Sequence, residues 1–115
     1  MSILNLSRLP DSPEADKKQF WGGLEGAAAP LALALSARSF KGLSLVITEN
    51  SRQAERLFAE LEFFLDQKAA DEVRVLSFPD WETLPYDNFS PHQDIISERL
   101  ETLHELPAIR HGVLI

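Results

Sequence analysis

The hydrophobic pattern changes period several times along the chain, and each change marks an element. Residues 1–13 contain Pro10 and Pro13 and read as an extended lead-in. Ser12-Pro13-Glu14 then suits a helix start, with a short helix running to about Phe20 or Trp21 before Gly22-Gly23 stops it. Ala27 to Ala37 is rich in Ala and Leu and predicts a second helix, with Pro30 tolerable only in its first turn. Gly42 punctuates, and Leu43 to Ile47 is a short apolar run that predicts a buried strand. From Ser51 to Asp66 the apolar positions Ala54, Leu57, Phe58, Leu61, Phe64 and Leu65 recur at helical spacing, behind Asn50 as N-cap and Gln53 as its partner. Arg56 and Glu60 form an i,i+4 pair on the wet side. Val73 to Phe78 predicts another strand, and Gly112 to Ile115 a third.

Between those two strands lie a loop and a helix. Phe78 to Leu100 holds three of the seven prolines, one of the two tryptophans and the single tyrosine. Pro79 and Pro85 bar helix and central strand from its first dozen residues. Ser90 as N-cap, Pro91 at the first helical position and Gln93 at the third predict a helix from Pro91 to about Leu106, ended by Pro107. Ile96, Leu100 and Leu103 are its expected inward face. Strands alternating with helices imply an α/β fold, a parallel sheet with flanking helices. A chain that stops inside an apolar strand predicts a sheet completed by further sequence, so residues 14–115 read as the first part of a domain truncated at its C-terminus.

Composition narrows the function classes. The net charge is −7, which opposes an autonomous nucleic-acid-binding domain because such a domain carries a clustered basic face. There is no cysteine, so disulfides, thiolate zinc sites and cysteine nucleophiles are excluded. The start lacks the charged and apolar regions of a signal peptide, and the longest apolar stretch, Gly26 to Leu35, is too short to span a bilayer. A cytoplasmic setting without membrane contact is expected.

The glycines before the Ala/Leu helix invite comparison with a phosphate-binding P-loop, which needs Gly, four residues, then Gly-Lys-Ser/Thr. The nearest frame, placed at Gly23 and running through Gly26 and Ala28, puts Ala29 in the lysine slot and Pro30 in the hydroxyl slot. Glu25 adds negative charge where a phosphate would sit. These glycines are either a tight turn or the vestige of an ATP loop, and no cofactor is expected to bind. His92, His104 and His111 lack metal-ligand spacing and read as surface or capping residues. Asp80, Glu82 and Asp87 read as turn caps beside proline, Arg99 as locally paired with Glu98 or Glu101, and no catalytic or metal site is expected. The seven acids against three bases from Glu49 to Glu72 read as a solvated helix face. Trp81, Leu84, Tyr86 and Phe89 have two readings: a lid packed on the carboxyl edge of the sheet, or a docking surface of the aromatic kind that interfaces favour.

At this loop a resemblance becomes specific. Asp80-Trp-Glu-Thr-Leu-Pro-Tyr-Asp87, followed by Phe89-Ser-Pro-His-Gln-Asp-Ile-Ile-Ser97 and Arg99-Leu100, resembles the N-terminal, UvrB-like region of the bacterial transcription-repair coupling factors (the Mfd family). It reaches back through Trp21-Gly22 and Gly26-Ala-Ala28 and forward to Gly112-Val-Leu-Ile115. The resemblance implies a RecA-like, helicase-type fold similar to the first domain of UvrB, with Gly23, Gly26, Ala29 and Pro30 as a degenerate counterpart of UvrB's ATP loop. It also implies a longer protein that moves on double-stranded DNA with ATP and magnesium, displaces stalled RNA polymerase and recruits UvrA. This segment would then be a non-catalytic scaffold packed on other domains of the same chain. Two rivals stand beside it: the nucleotide-binding lobe of a true UvrB-type ATPase, and a protein-interaction module unrelated to repair.

Overall fold

A computed structural model describes residues 20–65, 73–84 and 86–115. The lead-in at 1–13, most of the first predicted helix and Pro85 lie outside the described residues. In order, the elements are α1 (Ala28–Ser39), β1 (Leu43–Leu45), α2 (Ser51–Phe64), β2 (Arg74–Leu76), α3 (Gln93–Glu105), a 3-10 turn (Leu106–Ala108) and β3 (Gly112–Leu114). The three strands form one parallel sheet in the order β1-β3-β2. This is the α/β architecture that the alternation of periods predicts.

Parallel neighbours in register show their side chains to the same face. Ser44, Val113 and Val75 are therefore on one face, while Leu45, Leu114 and Leu76 are on the other. The first face is the core: Val75, Val113, Val73 and Ile115 are buried with Ala34 and Ala37 of α1 and with Leu61 and Leu65 at the end of α2. The apolar stripe read along α2 meets this core, with Ala54, Leu57, Phe58 and Phe64 packed partly against it. Asn50 caps α2 as expected, its Oδ1 accepting from the Gln53 amide at 2.9 Å. The Arg56–Glu60 pair forms at 2.9 Å on the exposed side, where such pairs contribute only about 0.3–0.5 kcal/mol.

Two long-range bonds join the ends of these helices to their neighbours. Arg38 donates to the Phe64 carbonyl at 2.9 Å, and His111 Nε2 lies 2.6 Å from the Ala37 carbonyl. Each places a basic side chain on carbonyls that a helix C-terminus leaves without intrahelical partners. His111 is thus the capping histidine that its position suggests. Gly112 sits in the central strand, where a Cβ would lie 2.7 Å from the Arg74 carbonyl oxygen, so this close strand approach requires glycine.

α3 lies against the second face. Arg74, which shares that face, pairs with Glu105 at 2.6 Å, and Thr102 Oγ1 donates to the Ser77 carbonyl at 2.6 Å. Three expectations change here. α3 starts at Gln93 with His92 as N-cap, its Nδ1 accepting from the Asp94 amide at 3.2 Å, rather than at Pro91 with Ser90 as cap. The side of α3 turned to the protein carries Ile95, Ile96, Arg99 and Thr102, so Ile96 is half-buried as expected while Leu100 and Leu103 are exposed. The reason is that Arg99 and Thr102 hold the carbonyls just beyond β2, which rotates the neighbouring leucines outward. Finally, β1 is not buried on both sides: it is an edge strand, and Leu45 and Ile47 are 67% and 85% exposed. Leu76 of β2 is buried on the second face, while this part of that face is open.

Candidate functional site

The carboxyl ends of the strands are where open α/β sheets place their ligands. Here β1 exits towards α2 on one face and β2 exits towards α3 on the other, so the segments after them diverge. Between them is a crevice of about 730 Å³. Its walls are Leu45 to Ser51 after β1, Ser77 to Asp80 with Glu82 after β2, and Ile95, Glu98 and Arg99 on the first turns of α3, with Leu114 and Ile115 at the base.

The wall after β2 is built around Arg99. Its guanidinium carbon lies 3.9 Å from the centroid of the Phe78 ring and 4.1 Å from that of Trp81. Its Nη1 donates to the Pro79 carbonyl. A planar cation between two aromatic faces suits Arg better than Lys. Local pairing with Glu98 or Glu101 is therefore not what Arg99 does among the described residues. Its charge is spent on the loop.

Beyond Trp81 the loop is held by its own acids. Asp80 Oδ2 accepts from the Glu82 amide at 3.3 Å, and Asp87 Oδ2 from the Leu84 amide at 2.7 Å, while the Asp87 amide returns a bond to the Leu84 carbonyl at 3.0 Å. Turn capping by carboxylates is the role their sequence context predicts. Glu82 adopts φ 58°, the left-handed region that costs a non-glycine residue energy.

Within the described residues the aromatic loop does not pack as a lid. Trp81 is 41% exposed beneath Arg99, Phe89 is 81% exposed and Tyr86 is 97% exposed. Leu84 is exposed as well. Within the described residues only Phe78 and the inner part of Trp81 have a platform, and Arg99 supplies it. A smaller hollow of about 450 Å³ opens beside Trp81, Leu84 and Phe89.

The glycine segment lies apart from the crevice, since none of Gly23, Gly26, Ala29 and Pro30 lines it. Gly23 and Gly26 have φ of 70° and 57°, and a Cβ at either would meet nothing within 4 Å. Backbone conformation, not crowding, is what these positions ask of glycine. Ala27 caps α1 without a side-chain bond, Ala29 is inside the helix and Pro30 is buried there.

Sequence reasoning missed the role of Arg99 and the crevice that Ile95, Glu98 and Arg99 help to wall. The available signal was the spacing of Ile95, Arg99 and Thr102, which places them on one helix face beside the more apolar stripe of Ile96, Leu100 and Leu103.

The fold and site together define a segment of a parallel α/β protein with an acidic-walled crevice at the carboxyl edge of its sheet and an exposed aromatic loop beside it. No protein-family model matches the chain. The chain is nevertheless a segment of the transcription-repair-coupling factor family. It is 44% identical to the transcription-repair-coupling factor of Escherichia coli (strain K12) over 102 residues, which is 89% of this chain and 8% of that protein. The Haemophilus influenzae factor is 40% identical over 107 residues, 93% of this chain and 9% of the relative. That of Myxococcus xanthus is 33% identical over 101 residues, 87% of this chain and 8% of the relative. The chain thus spans about a tenth or less of the length of these relatives.

Proposed function

We propose that this chain is a non-catalytic scaffold segment within the UvrB-like module of a transcription-coupled DNA repair protein. The observation that carries the reading is the 44% identity to a transcription-repair-coupling factor across 89% of the chain. The whole protein would couple transcription to repair, with RNA polymerase and DNA as partners, using ATP and magnesium on motor domains outside this segment. Recruitment of UvrA belongs to that larger assembly.

The chemistry of the segment supports a scaffold over a motor. A phosphate loop needs a lysine ammonium and a hydroxyl at fixed offsets from its glycines, and Ala29 and Pro30 offer neither. Pro30 also lacks the amide N–H that a helix N-terminus lends to phosphate. Glu49, Glu55, Asp80, Glu82 and Glu98 surround the crevice with carboxylates, a field that repels a polyphosphate. The reading is tested by immobilising this chain and, separately, a version extended to the length of its relatives, and measuring UvrA retention. UvrA is expected on the extended protein alone. Equal retention on the short chain would mean that the segment is itself the recruiting surface.

A further inference from the structure

The crevice at the carboxyl edge joins two properties. Its β1 wall offers uncovered aliphatic surface, with Leu45 and Ile47 largely exposed and Ile95 half-buried across from them. Its rim is acidic on every side: Glu49 and Glu55 near the start of α2, Asp80 and Glu82 after β2, and Glu98 on α3. Glu49 accepts a weak bond from Gln53 at 3.3 Å and Asp80 accepts one from the Glu82 amide, but among the described residues no cation pairs with any of the five. Among the described residues the single cation of the lining, Arg99, is engaged by two aromatic rings and a carbonyl.

We propose that this crevice docks a basic, aliphatic segment of a protein partner, whose Lys or Arg side chains meet the rim while its aliphatic side chains cover Leu45 and Ile47. Charge complementarity selects this occupant. Nucleic acid and nucleotides carry the wrong sign, and a purely polar cation would leave the aliphatic wall in water. About 730 Å³ is the size of a small-ligand site and holds a few side chains of an extended peptide. Among the described residues the five carboxylates have no cationic partner, so a basic segment would meet a rim of opposite charge. The inference goes beyond the scaffold reading and does not depend on the role of the whole protein.

The test is fluorescence anisotropy of the full chain with a fluorescein-labelled peptide that alternates Leu and Lys. Peptides alternating Ser and Lys, and Leu and Glu, serve as controls. Saturable binding of the Leu/Lys peptide is expected, weaker binding of Ser/Lys, and none of Leu/Glu. Neutralising two rim acids, Glu55→Gln with Glu98→Gln, should weaken the Leu/Lys peptide about fivefold, the effect of losing two exposed ion pairs of a few tenths to one kcal/mol each. Ile47→Ser, on an exposed side chain, should weaken it too. Glu62→Gln with Glu101→Gln removes the same charge outside the crevice and should leave affinity within about twofold, since screened distant charges contribute little. Circular dichroism checks that each variant keeps its fold. The proposal is overturned if the Leu/Lys peptide does not saturate, if Ser/Lys binds equally well, or if the control pair weakens binding as much as the rim pair. Each of those outcomes leaves the scaffold reading standing, because that reading rests on sequence similarity and on the missing lysine and hydroxyl of the glycine segment.

Discussion

Arg99 makes three contacts from one guanidinium, on Phe78, Trp81 and the Pro79 carbonyl, and it fixes the path of the chain after β2. Cation–π contacts contribute about 0.5–2 kcal/mol depending on desolvation. An abandoned, part-buried carbonyl adds about 1–3 kcal/mol when no water replaces the donor. Arg99→Ala is therefore expected to lower unfolding stability by about 1–3 kcal/mol, read from the urea midpoint. In a Trp21→Phe background the same change should make Trp81 more accessible to acrylamide quenching. Arg99→Lys keeps the charge but not the planar fork, so it should recover only part of either effect. Unchanged quenching would show that Arg99 does not hold Trp81. None of this was legible from the residue alone. Arg99 stands between two glutamates in sequence, and the aromatic partners that outcompete them arrive from 18 and 21 residues away, by arithmetic on their positions.

At the scale of elements, the sequence patterns read best where one local signal sufficed. α2 carries its own cap and a long apolar stripe, and both are found where expected. The parallel strands follow from short apolar runs separated by helices. The start of α3 was misread because Ser90-Pro91 has a strong capping pattern, yet His92 adopts the extended geometry and makes the capping bond. The inward face of α3 was misread because apolarity pointed to Leu100 and Leu103, while hydrogen bonds from Arg99 and Thr102 to carbonyls decide the rotation. Two substitutions compare the working cap of α2 with the apparent cap of α3. Asn50→Ala should cost about 1 kcal/mol, the usual loss of an N-cap. Ser90→Ala should stay within about 0.5 kcal/mol, as surface changes away from caps do. Equal losses in thermal or urea unfolding would return the cap of α3 to Ser90.

At the scale of the whole molecule, the sheet is covered on one face by α1 and α2 and only partly on the other by α3. Leu45, Ile47, Leu100 and Leu103 remain exposed, as do the tips of the aromatic loop. Sequence pattern points to burial for the four aliphatic residues and gives the aromatic loop two readings, a packed lid or a docking surface, since apolar runs and aromatic residues are costly to leave in water. Pattern analysis cannot separate apolar surface that the described residues bury from apolar surface left for another partner. The family resemblance, by contrast, was legible in the loop because its prolines, aromatics and acids fall in an unusual order, and the comparison with relatives bears it out. What that family membership leaves open is whether this segment kept any nucleotide chemistry. Titrating the full chain with a fluorescent ATP analogue and magnesium tests the scaffold account most directly. No saturable binding is expected, because the Gly23–Pro30 segment lacks the lysine and hydroxyl that hold phosphates, and the cation that lines the acidic crevice, Arg99, is engaged by two rings and a carbonyl. Saturable binding at micromolar concentration would contradict it and make the segment a nucleotide-binding lobe.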